Sequence, residues 1–374
     1  MKQFLLAFAL TAAATLAYAG APDYAIHENY QSLRARGMGD AFDTIADDDF
    51  AMFYNPAALG RRHETNVHLF LQTSADSNVL PFYNDLKGAG SDPQSVDNVL
   101  NKYYGDDMYV RPTLGGIITR KHWSLAVLPV DFSNNFDLHH SVAASVYVNS
   151  TLDSTIAYAY GNEIHTKFLK NPLYWGFNLQ FVHRAYYSDV IQSAQLATNN
   201  NLFDLSRMNE GATVDGDLGL LYKMQTSYDA KFKPSFSLVV RDIADEGFFI
   251  PLRFFNKNAS APPPYERVAD AGSDVQLKRF WVFTPTVELD ERDMGDSEWT
   301  PLKGLHLGAD FSWQLYHWWK GFWNVGIDQG YWTAGFGASM SVFELELASW
   351  GEEIGTTSAP EESRRYGLEL SLNF

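Results

Sequence analysis

The chain has 374 residues, of which 46% are hydrophobic and 15% aromatic, and this composition excludes an intrinsically disordered protein. The formal net charge of −17 would repel phosphate backbones, so we expect no nucleic-acid partner. Cysteine is absent, which suits an oxidising compartment but indicates no function. The length fits two soluble domains or one large barrel, because all-β barrels commonly exceed about 200 residues as one unit.

A secretory signal peptide is predicted at residues 1–19. Lys2 provides the charged start, an apolar run extends from Phe4 to Leu16, and Ala17-Tyr18-Ala19 forms a small-residue cleavage site. A membrane-anchor helix is the alternative, but it needs about 20 apolar residues and the run is shorter. We therefore expect export and cleavage after Ala19.

Residues 20–62 lack the periodicity of the rest of the chain. They contain Gly37-Met38-Gly39-Asp40-Ala41-Phe42, then Ala46-Asp47-Asp48, then Tyr54-Asn55-Pro56-Ala57-Ala58-Leu59. This pattern predicts a short helical element closed by an Asn-Pro turn rather than a strand. In front of a barrel, such a segment either hangs in the periplasm or enters the lumen. Its mixture of small, apolar and polar residues favours the lumen.

Residues 63–374 have a period of two, which is typical of strands with one apolar and one polar face. Fifteen candidate strands can be drawn, but single-chain bacterial barrels have an even number, so we predict an all-β, antiparallel transmembrane β-barrel of about fourteen strands. We expect the surplus candidate in the region 122–161, where two short segments would belong to one strand or to a loop. The candidates are 64–72, 107–120, 122–132, 139–149, 153–161, 172–187, 211–223, 234–243, 266–276, 281–291, 303–315, 321–328, 331–340, 341–350 and 363–374.

The connections predict two different barrel ends. Long polar stretches at 73–106, 188–210, 244–265 and 351–362 can all fall on one side, while turns such as Arg120-Lys121-His122 fall on the other. Aromatic residues gather near strand ends, which favours an interfacial girdle over core packing in a soluble protein. They are Tyr316, Trp318, Trp319, Phe322, Trp323, Tyr331 and Trp332.

The last segment reads as a lipid-facing strand with a polar inner face. Glu369 and Ser371 occupy the polar face, and the apolar face holds Tyr366, Leu368, Leu370, Leu372 and Phe374. A terminal aromatic residue of this kind resembles the signal by which barrel-assembly machinery recognises its clients. A soluble β-sandwich strand can alternate in the same way but rarely ends a chain on such a Phe.

The three motifs of residues 37–59, in this order, resemble the N-terminal hatch of the FadL-like superfamily of outer-membrane barrels. That group includes long-chain fatty-acid and hydrocarbon transporters as well as PorV-like partners in protein secretion. The C-terminal third is similar to the same group at Gly308-Ala309-Asp310, Gly335-Phe336-Gly337, 344–348 and 351–355. The resemblance implies a fourteen-stranded barrel at 63–374 with a hatch at 20–62 that plugs its lumen. The hatch residues would be Gly37, Gly39, Asp40, Asn55, Pro56 and Ala57.

The resemblance also implies a lateral gate. Pro112, Gly115 and Gly116 fall in one early strand and Pro129 in the next, and such residues mark bulges, kinks or rims. FadL-like transporters are similar in having an early strand that kinks inward to open the wall. The alternative is that these residues are strand ends around the turn Arg120-Lys121-His122.

No catalytic residue, cofactor or metal site is expected. The sequence has no G-x-S-x-G elbow, H-E-x-x-H helix or Gly-rich phosphate loop. The acidic clusters Asp47-Asp48-Asp49 and Glu352-Glu353 lack the ligand spacing of a calcium loop, so solvated turns are favoured. His63, His68 and His139-His140 are interpreted as loop or lumen residues.

The leading hypothesis is a passive outer-membrane channel for small hydrophobic molecules such as long-chain fatty acids. The hatch would prevent aqueous leakage, and the substrate would leave sideways into the lipid. A second hypothesis is a non-transport barrel that acts as a secretion partner or as a structural element of the membrane, alone or as an oligomer. A third is a general porin, which is disfavoured because a hatch would obstruct its pore. Expected partners are membrane lipid, a hydrophobic solute and the barrel-assembly machinery.

Overall fold

The computed structural model describes Ile26 and residues 30–90, 92–140, 144–165, 171–192, 205–224, 232–356 and 358–374. The predicted signal peptide, its cleavage site and residues 20–25 lie outside the described residues.

In the described part of the chain, fourteen antiparallel strands form a closed barrel in which β1 pairs with β14 and every other strand pairs with its neighbours in sequence. The predicted fold class and strand number are therefore confirmed. The strands are β1 (Asn66–Asp76), β2 (Asp107–Arg120), β3 (Trp123–His140), β4 (Ala144–Ile164), β5 (Leu173–Gln192), β6 (Asn209–Lys223), β7 (Phe232–Arg241), β8 (Val268–Leu277), β9 (Phe283–Met294), β10 (Leu305–Tyr316), β11 (Trp319–Asp328), β12 (Tyr331–Met340), β13 (Phe343–Glu353) and β14 (Glu362–Asn373).

One predicted strand is wrong. The candidates 122–132, 139–149 and 153–161 correspond to only two strands, β3 and β4. The candidate 139–149 covers the end of β3, the connection and the start of β4. The alternation along β3 is interrupted at Pro129 and Val130, where both side chains are exposed, and a polar run follows at Ser133-Asn134-Asn135. These two features imitate the end of a strand.

The barrel wall is apolar outside and polar inside, which is the arrangement of a transmembrane β-barrel of the outer-membrane type. On β14, Glu369 and Ser371 are buried while Leu368 and Leu370, which alternate with them, are exposed. Other strands expose a band of large apolar side chains at Leu305, Leu307, Phe311, Trp323, Val325, Ile327, Phe336, Leu345 and Leu347. This band would face lipid.

The aromatic girdle is formed by only part of the predicted set. Tyr316, Trp318 and Trp332 are exposed near strand ends. Phe322 is buried instead, because it occupies an inward position, where the Arg34 guanidinium lies 5.3 Å from its ring centroid. Assignment of this aromatic to the girdle was therefore wrong.

Residues 30–62, which we call the lumen segment, contain three short helical turns. They are α1 (Leu33–Gly37), α2 (Ala51–Tyr54) and a 3-10 helix (Pro56–Arg61). The Ser32 side chain accepts a hydrogen bond from the Ala35 N–H and begins α1. The Asn55 side chain accepts one from the Ala57 N–H and begins the 3-10 helix, with Pro56 at its first position.

The two barrel ends differ as predicted. One end carries long connections, including residues 77–106 with α3 (Val79–Ala89) and α4 (Pro93–Lys102), and residues 242–267. The other carries short turns such as Lys121-His122. Short turns face the periplasm in outer-membrane barrels. Among the described residues, no helix is long and apolar enough to span a membrane.

Candidate functional site

Two sectors of the barrel interior face the lumen segment, one with an apolar patch and one with a group of charges. On β1–β4, the inner wall includes a buried apolar patch formed by Phe70, Ile117, Ala126, Leu128, Ala157 and Ala159. On β7–β11, the inner wall carries buried charges at Arg241, Asp270, Glu288, Asp290, Arg292, Asp310 and Asp328. The lumen segment contacts both sectors, with the 3-10 helix against β4–β6 and α1 against β11–β14.

Aromatic side chains of the lumen segment join the apolar patch in one cluster. The Phe50 and Phe70 ring centroids are 5.2 Å apart, which places an aromatic of the segment against the wall of β1. Phe42, Phe53 and Tyr54 extend the cluster. Part of the segment's apolar surface therefore packs against β1–β4, while Leu33 packs against Trp350 of β13.

Arg241 of β7 links the lumen segment to the charged sector. It donates hydrogen bonds to Asp43 (2.8 Å) and to Asp270 of β8 (2.6 Å), and also to the Tyr54 carbonyl oxygen (2.9 Å). All three charged side chains are at least nine-tenths buried. Removing one member of a buried pair typically costs about 3–5 kcal/mol, because the partner is left buried and uncompensated.

Further arginines repeat this arrangement. Arg34 pairs with Asp310 of β10 at 3.3 Å, and Arg292 of β9 contacts Asp40. Arg36 lies 3.6 Å from Asp40 and 3.6 Å from Asp328 of β11. Charges of the lumen segment are therefore matched to charges on three neighbouring strands, β9, β10 and β11.

Two wall carboxylates bind the backbone of the lumen segment. Glu288 accepts hydrogen bonds from the N–H groups of Thr44 and Ile45, the latter at 2.9 Å, and Asp290 accepts one from Asp43 at 3.0 Å. These bonds explain why residues 43–45 form a turn rather than a helix, since their N–H groups are used by the wall.

A row of three glycines receives the Asn-Pro turn. Gly161 of β4 pairs with Gly176 of β5, which pairs with Gly219 of β6, and all three face inward. A Cβ atom at any of them would clash with Asn55, Pro56 or Ala57. The absence of side chains therefore lets the turn lie directly on the wall.

The predicted residues Asn55, Pro56 and Ala57 thus lie on the glycine row. The Asn55 amide also donates hydrogen bonds to the carbonyl oxygens of Asp43 (2.9 Å) and Leu220 (3.3 Å). The first bond joins the Asn-Pro turn to the turn at Asp43, and the second joins the Asn-Pro turn to β6. Asn55 is fully buried, so these bonds replace water that it cannot reach.

The predicted residues Gly37, Gly39 and Asp40 contact the opposite side of the wall. A Cβ on Gly37 would clash with Gly335 of β12 and Asn324 of β11. Gly39 has a φ of 68°, a conformation that glycine adopts without a steric cost. The Asp40 carboxylate accepts a hydrogen bond from the Tyr54 hydroxyl at 2.8 Å.

The four residues of the candidate gate all lie within strands. Pro112 pairs with Thr73 in a continuous β1–β2 register. The β2–β3 register shifts between the Leu114–Val130 and Gly116–Val127 pairs, so β3 has one extra residue opposite Gly115. This is a β-bulge at Pro129, where the missing N–H of proline removes a ladder bond.

The wall is paired on both sides of this bulge. Across β3–β4 the register shifts between Leu128 and Asp131, and the Ser154 hydroxyl donates to the Pro129 carbonyl oxygen at 2.9 Å. A Cβ on Gly115 would clash with the side chains of Leu128 and Phe70, which fill the inner side of the bulge. The bulge therefore forms a weak point covered by two apolar side chains.

The C-terminal strand closes the barrel. Phe374 donates its N–H to the Val67 carbonyl oxygen at 3.0 Å, and Leu370 pairs with Leu71 of β1. Tyr366, Leu368, Leu370 and Phe374 are exposed on the outer face. Leu372 shares that face but is half-buried.

The strands β3–β5 are 18, 21 and 20 residues long, about twice the 9–11 residues that cross a bilayer. Their extensions lie at the end with long connections. Val146 and Val148 share the outward face of β4 with Ile156 and are buried in a cluster with Leu100 of α4 and Phe82 of α3. The helix pair therefore covers the outer face of the extended sheet.

A charged contact joins the two helices. Lys102 of α4 donates to the Asp85 carboxylate of α3 at 2.6 Å, and the Tyr103 hydroxyl donates to it at 2.7 Å. These hydrogen bonds lower the pKa of Asp85. Leu80 and Tyr83 of α3 remain exposed on the other side.

The acidic clusters have arginine partners. Asp47 pairs with Arg34 at 2.6 Å, Asp49 pairs with Arg62 at 3.0 Å, and Glu352 contacts Arg365. Within the described residues, no group of three or more potential ligands is placed to hold a metal ion. The clusters are thus parts of ion pairs rather than solvated turns.

No family model and no curated protein matches the chain. Among solved structures, it is similar to the CymD monoaromatic hydrocarbon channel (10% identity, TM-score 0.45, 91% of this chain and 96% of that chain). It is also similar to the Pseudomonas putida toluene transporter TodX (10%, 0.46, 94% and 99%) and the Ralstonia pickettii toluene transporter TbuX (10%, 0.43, 92% and 98%).

Proposed function

We propose that this chain is a passive outer-membrane channel for small hydrophobic molecules, which leave sideways through the wall at the β3 bulge. Residues 20–62 would act as the plug, and Pro112, Gly115, Gly116 and Pro129 would form the lateral gate. Long-chain fatty acids and monoaromatic hydrocarbons are the two substrate classes to compare, the latter because TodX and TbuX are named as toluene transporters.

The observation that carries the proposal is the position of the apolar patch. Phe50 of the lumen segment contacts Phe70, and Phe70 and Leu128 cover Gly115 at the bulge. Pro129 and Val130 lie on the outer face of the same bulge, exposed where lipid would be. Apolar side chains thus connect the lumen segment to the lipid at the one place in the β1–β4 wall where the strand register shifts.

The energetics favour this exit for an apolar solute. Moving such a molecule from water to lipid gains about 0.8 kcal/mol per buried CH₂, so no energy source is needed. An axial path would instead pass charged side chains such as Arg241, Glu288 and Asp290. A water-filled path through the barrel is disfavoured because the lumen segment is bound to the wall on both sides.

Assembly and localisation follow from the same proposal. The signal peptide at residues 1–19 would direct export, with cleavage after Ala19. Tyr366, Leu368, Leu370, Leu372 and Phe374 would form the signal for the barrel-assembly machinery, and the outer apolar band would contact membrane lipid.

A specific observation favours the secretion-partner alternative. Leu80 and Tyr83 of α3, and Phe254 in the 242–267 connection, are exposed apolar side chains at the end with long connections. Exposed apolar side chains outside the lipid-facing band can serve as contacts with another protein. A barrel of this kind would assemble normally but transport nothing.

The proposal is tested by uptake in a Gram-negative host that lacks its own hydrocarbon channel. Cells that express the chain should accumulate radiolabelled toluene faster than cells with an empty vector, and accumulation of a similar-sized sugar should not change. Oleate is measured in parallel to separate the substrate classes. If the chain is assembled in the outer membrane and uptake of both hydrophobic probes equals that of the empty vector, the channel proposal fails and the partner role gains weight.

A further inference from the structure

A cavity of about 410 Å³ lies inside the barrel at the end with short turns, beneath the lumen segment. Its position follows from its lining, because Lys223, Lys233 and Gln276 are close to the short-turn ends of their strands. The lining consists of Ile45, Asp47, Arg61, Arg62, His63, Glu64, Lys223, Lys233, Ser235, Asp274, Gln276 and Thr286. Since short turns face the periplasm, this cavity is reached from the periplasmic side.

The cavity contains cations that form no ion pair with a carboxylate of the described residues. Lys223 of β6 and Lys233 of β7 face inward on adjacent strands, and Lys223 pairs in register with Ser235, two residues beyond Lys233. Within the described residues, neither lysine has a carboxylate oxygen within 4.0 Å. Arg61 donates to the Thr44 carbonyl oxygen at 3.1 Å and likewise forms no ion pair there. Both lysines are half-buried, so they have lost part of their hydration without a carboxylate in direct contact.

The acidic side chains of the lining neutralise these cations only in part. Asp47 pairs with Arg34 at 2.6 Å, and Arg62 pairs with Asp49. Asp274 and Glu64 are the remaining carboxylates, against the three cations Arg61, Lys223 and Lys233. The described lining therefore keeps one net positive charge in a chain whose formal charge is −17.

We propose that this cavity is a binding site for a small, polar organic carboxylate from the periplasm. Lys223 and Lys233 would donate charge-assisted hydrogen bonds to the carboxylate oxygens, which are stronger than neutral ones. Ser235, Gln276 and Thr286 would bind the polar remainder, because Ile45 is the only aliphatic side chain in the lining. This lining differs from the apolar patch at the β3 bulge, so the site is independent of the proposed transport route.

The test measures the acetylation rate of individual lysines by mass spectrometry on the full-length protein in a non-ionic detergent. Succinate is the probe, succinamide is its neutral counterpart of similar shape, and inorganic phosphate tests the other common oxyanion. Lys121, in a turn at the same end but outside the cavity, is the internal control.

Succinate should slow the acetylation of Lys223 and Lys233 about tenfold, the factor that corresponds to an interaction of about 1.4 kcal/mol. The rate at Lys121 should not change, and succinamide should have no effect. In Lys223→Gln, the protection of Lys233 by succinate should largely disappear.

Three results would overturn the proposal: equal rates with and without succinate, equal protection by succinamide, or protection of Lys233 that persists in Lys223→Gln. Protection by phosphate but not by succinate would also reject a carboxylate site. None of these results depends on whether toluene is transported, so this proposal and the channel proposal can fail separately.

Discussion

Deleting Pro129 is expected to lower toluene uptake about tenfold, which corresponds to about 1.4 kcal/mol added to the barrier. The deletion removes the extra residue of β3, so Leu128 and Val130 would become neighbours with opposite orientations and the β2–β3 ladder would run without a register shift. With a regular hydrogen-bonded ladder opposite Gly115, the wall would have no bulge through which a solute could leave. The rate of radiolabelled toluene uptake in whole cells measures the effect.

Two further variants make this experiment specific. Pro234→Val removes a strand proline from β7, where the β7–β8 pairing has no register shift, and should leave uptake unchanged. Leu128→Ala removes one of the two side chains that cover the bulge and should raise uptake. Unchanged uptake after deletion of Pro129, in a barrel that is correctly assembled, would reject lateral exit at this position.

Arg241→Met is expected to loosen the lumen segment and to turn the barrel into an ion-conducting pore. The variant leaves Asp270 buried without its cation, at a cost of about 3–5 kcal/mol, and leaves Asp43 with Arg292 alone, 3.6 Å away. The strand ladder itself does not use this side chain, so the barrel should still form. Single-channel conductance in planar bilayers should rise from a low baseline to frequent openings.

Arg207→Met is the matched control. Arg207 also pairs with an aspartate, Asp189, but its side chain is 58% exposed, and exposed pairs contribute about 0–1 kcal/mol. Conductance of this variant should equal that of the wild type. If Arg241→Met and Arg207→Met conduct alike, the buried pairs do not hold the lumen segment in place.

Much of the wall could be predicted from the sequence because the period of two survives wherever one face meets lipid. In β14 each apolar residue from Tyr366 to Leu370 alternates with a polar or small one, and the predicted segment 363–374 matches Glu362–Asn373. The prediction failed at β3 and β4, because a bulge at Pro129 shifts the alternation by one residue and the strand then continues well beyond the bilayer. A period of two cannot distinguish a bulge from a strand end.

The contacts of the lumen segment could not be predicted in the same way. Gly161, Gly176 and Gly219 are scattered over 59 positions, and only the strand register places them side by side. Arg241 and Asp43 are 198 residues apart, so nothing local connects them. Inward-facing glycines on consecutive strands are the one sequence feature that could have indicated this contact. Three such glycines side by side leave a flat inner wall, which another part of the chain can approach closely.

The central claim is that a hydrophobic solute leaves through the wall while the lumen segment stays in place. Thr44 of the segment and Ser237 of β7 have their hydroxyl oxygens 2.7 Å apart, and the chain has no native cysteine. In the double variant Thr44→Cys with Ser237→Cys, a disulfide would lock the segment to the wall. The account predicts equal toluene uptake in the oxidised and reduced forms, whereas uptake that is lost on oxidation and restored by reductant would contradict it.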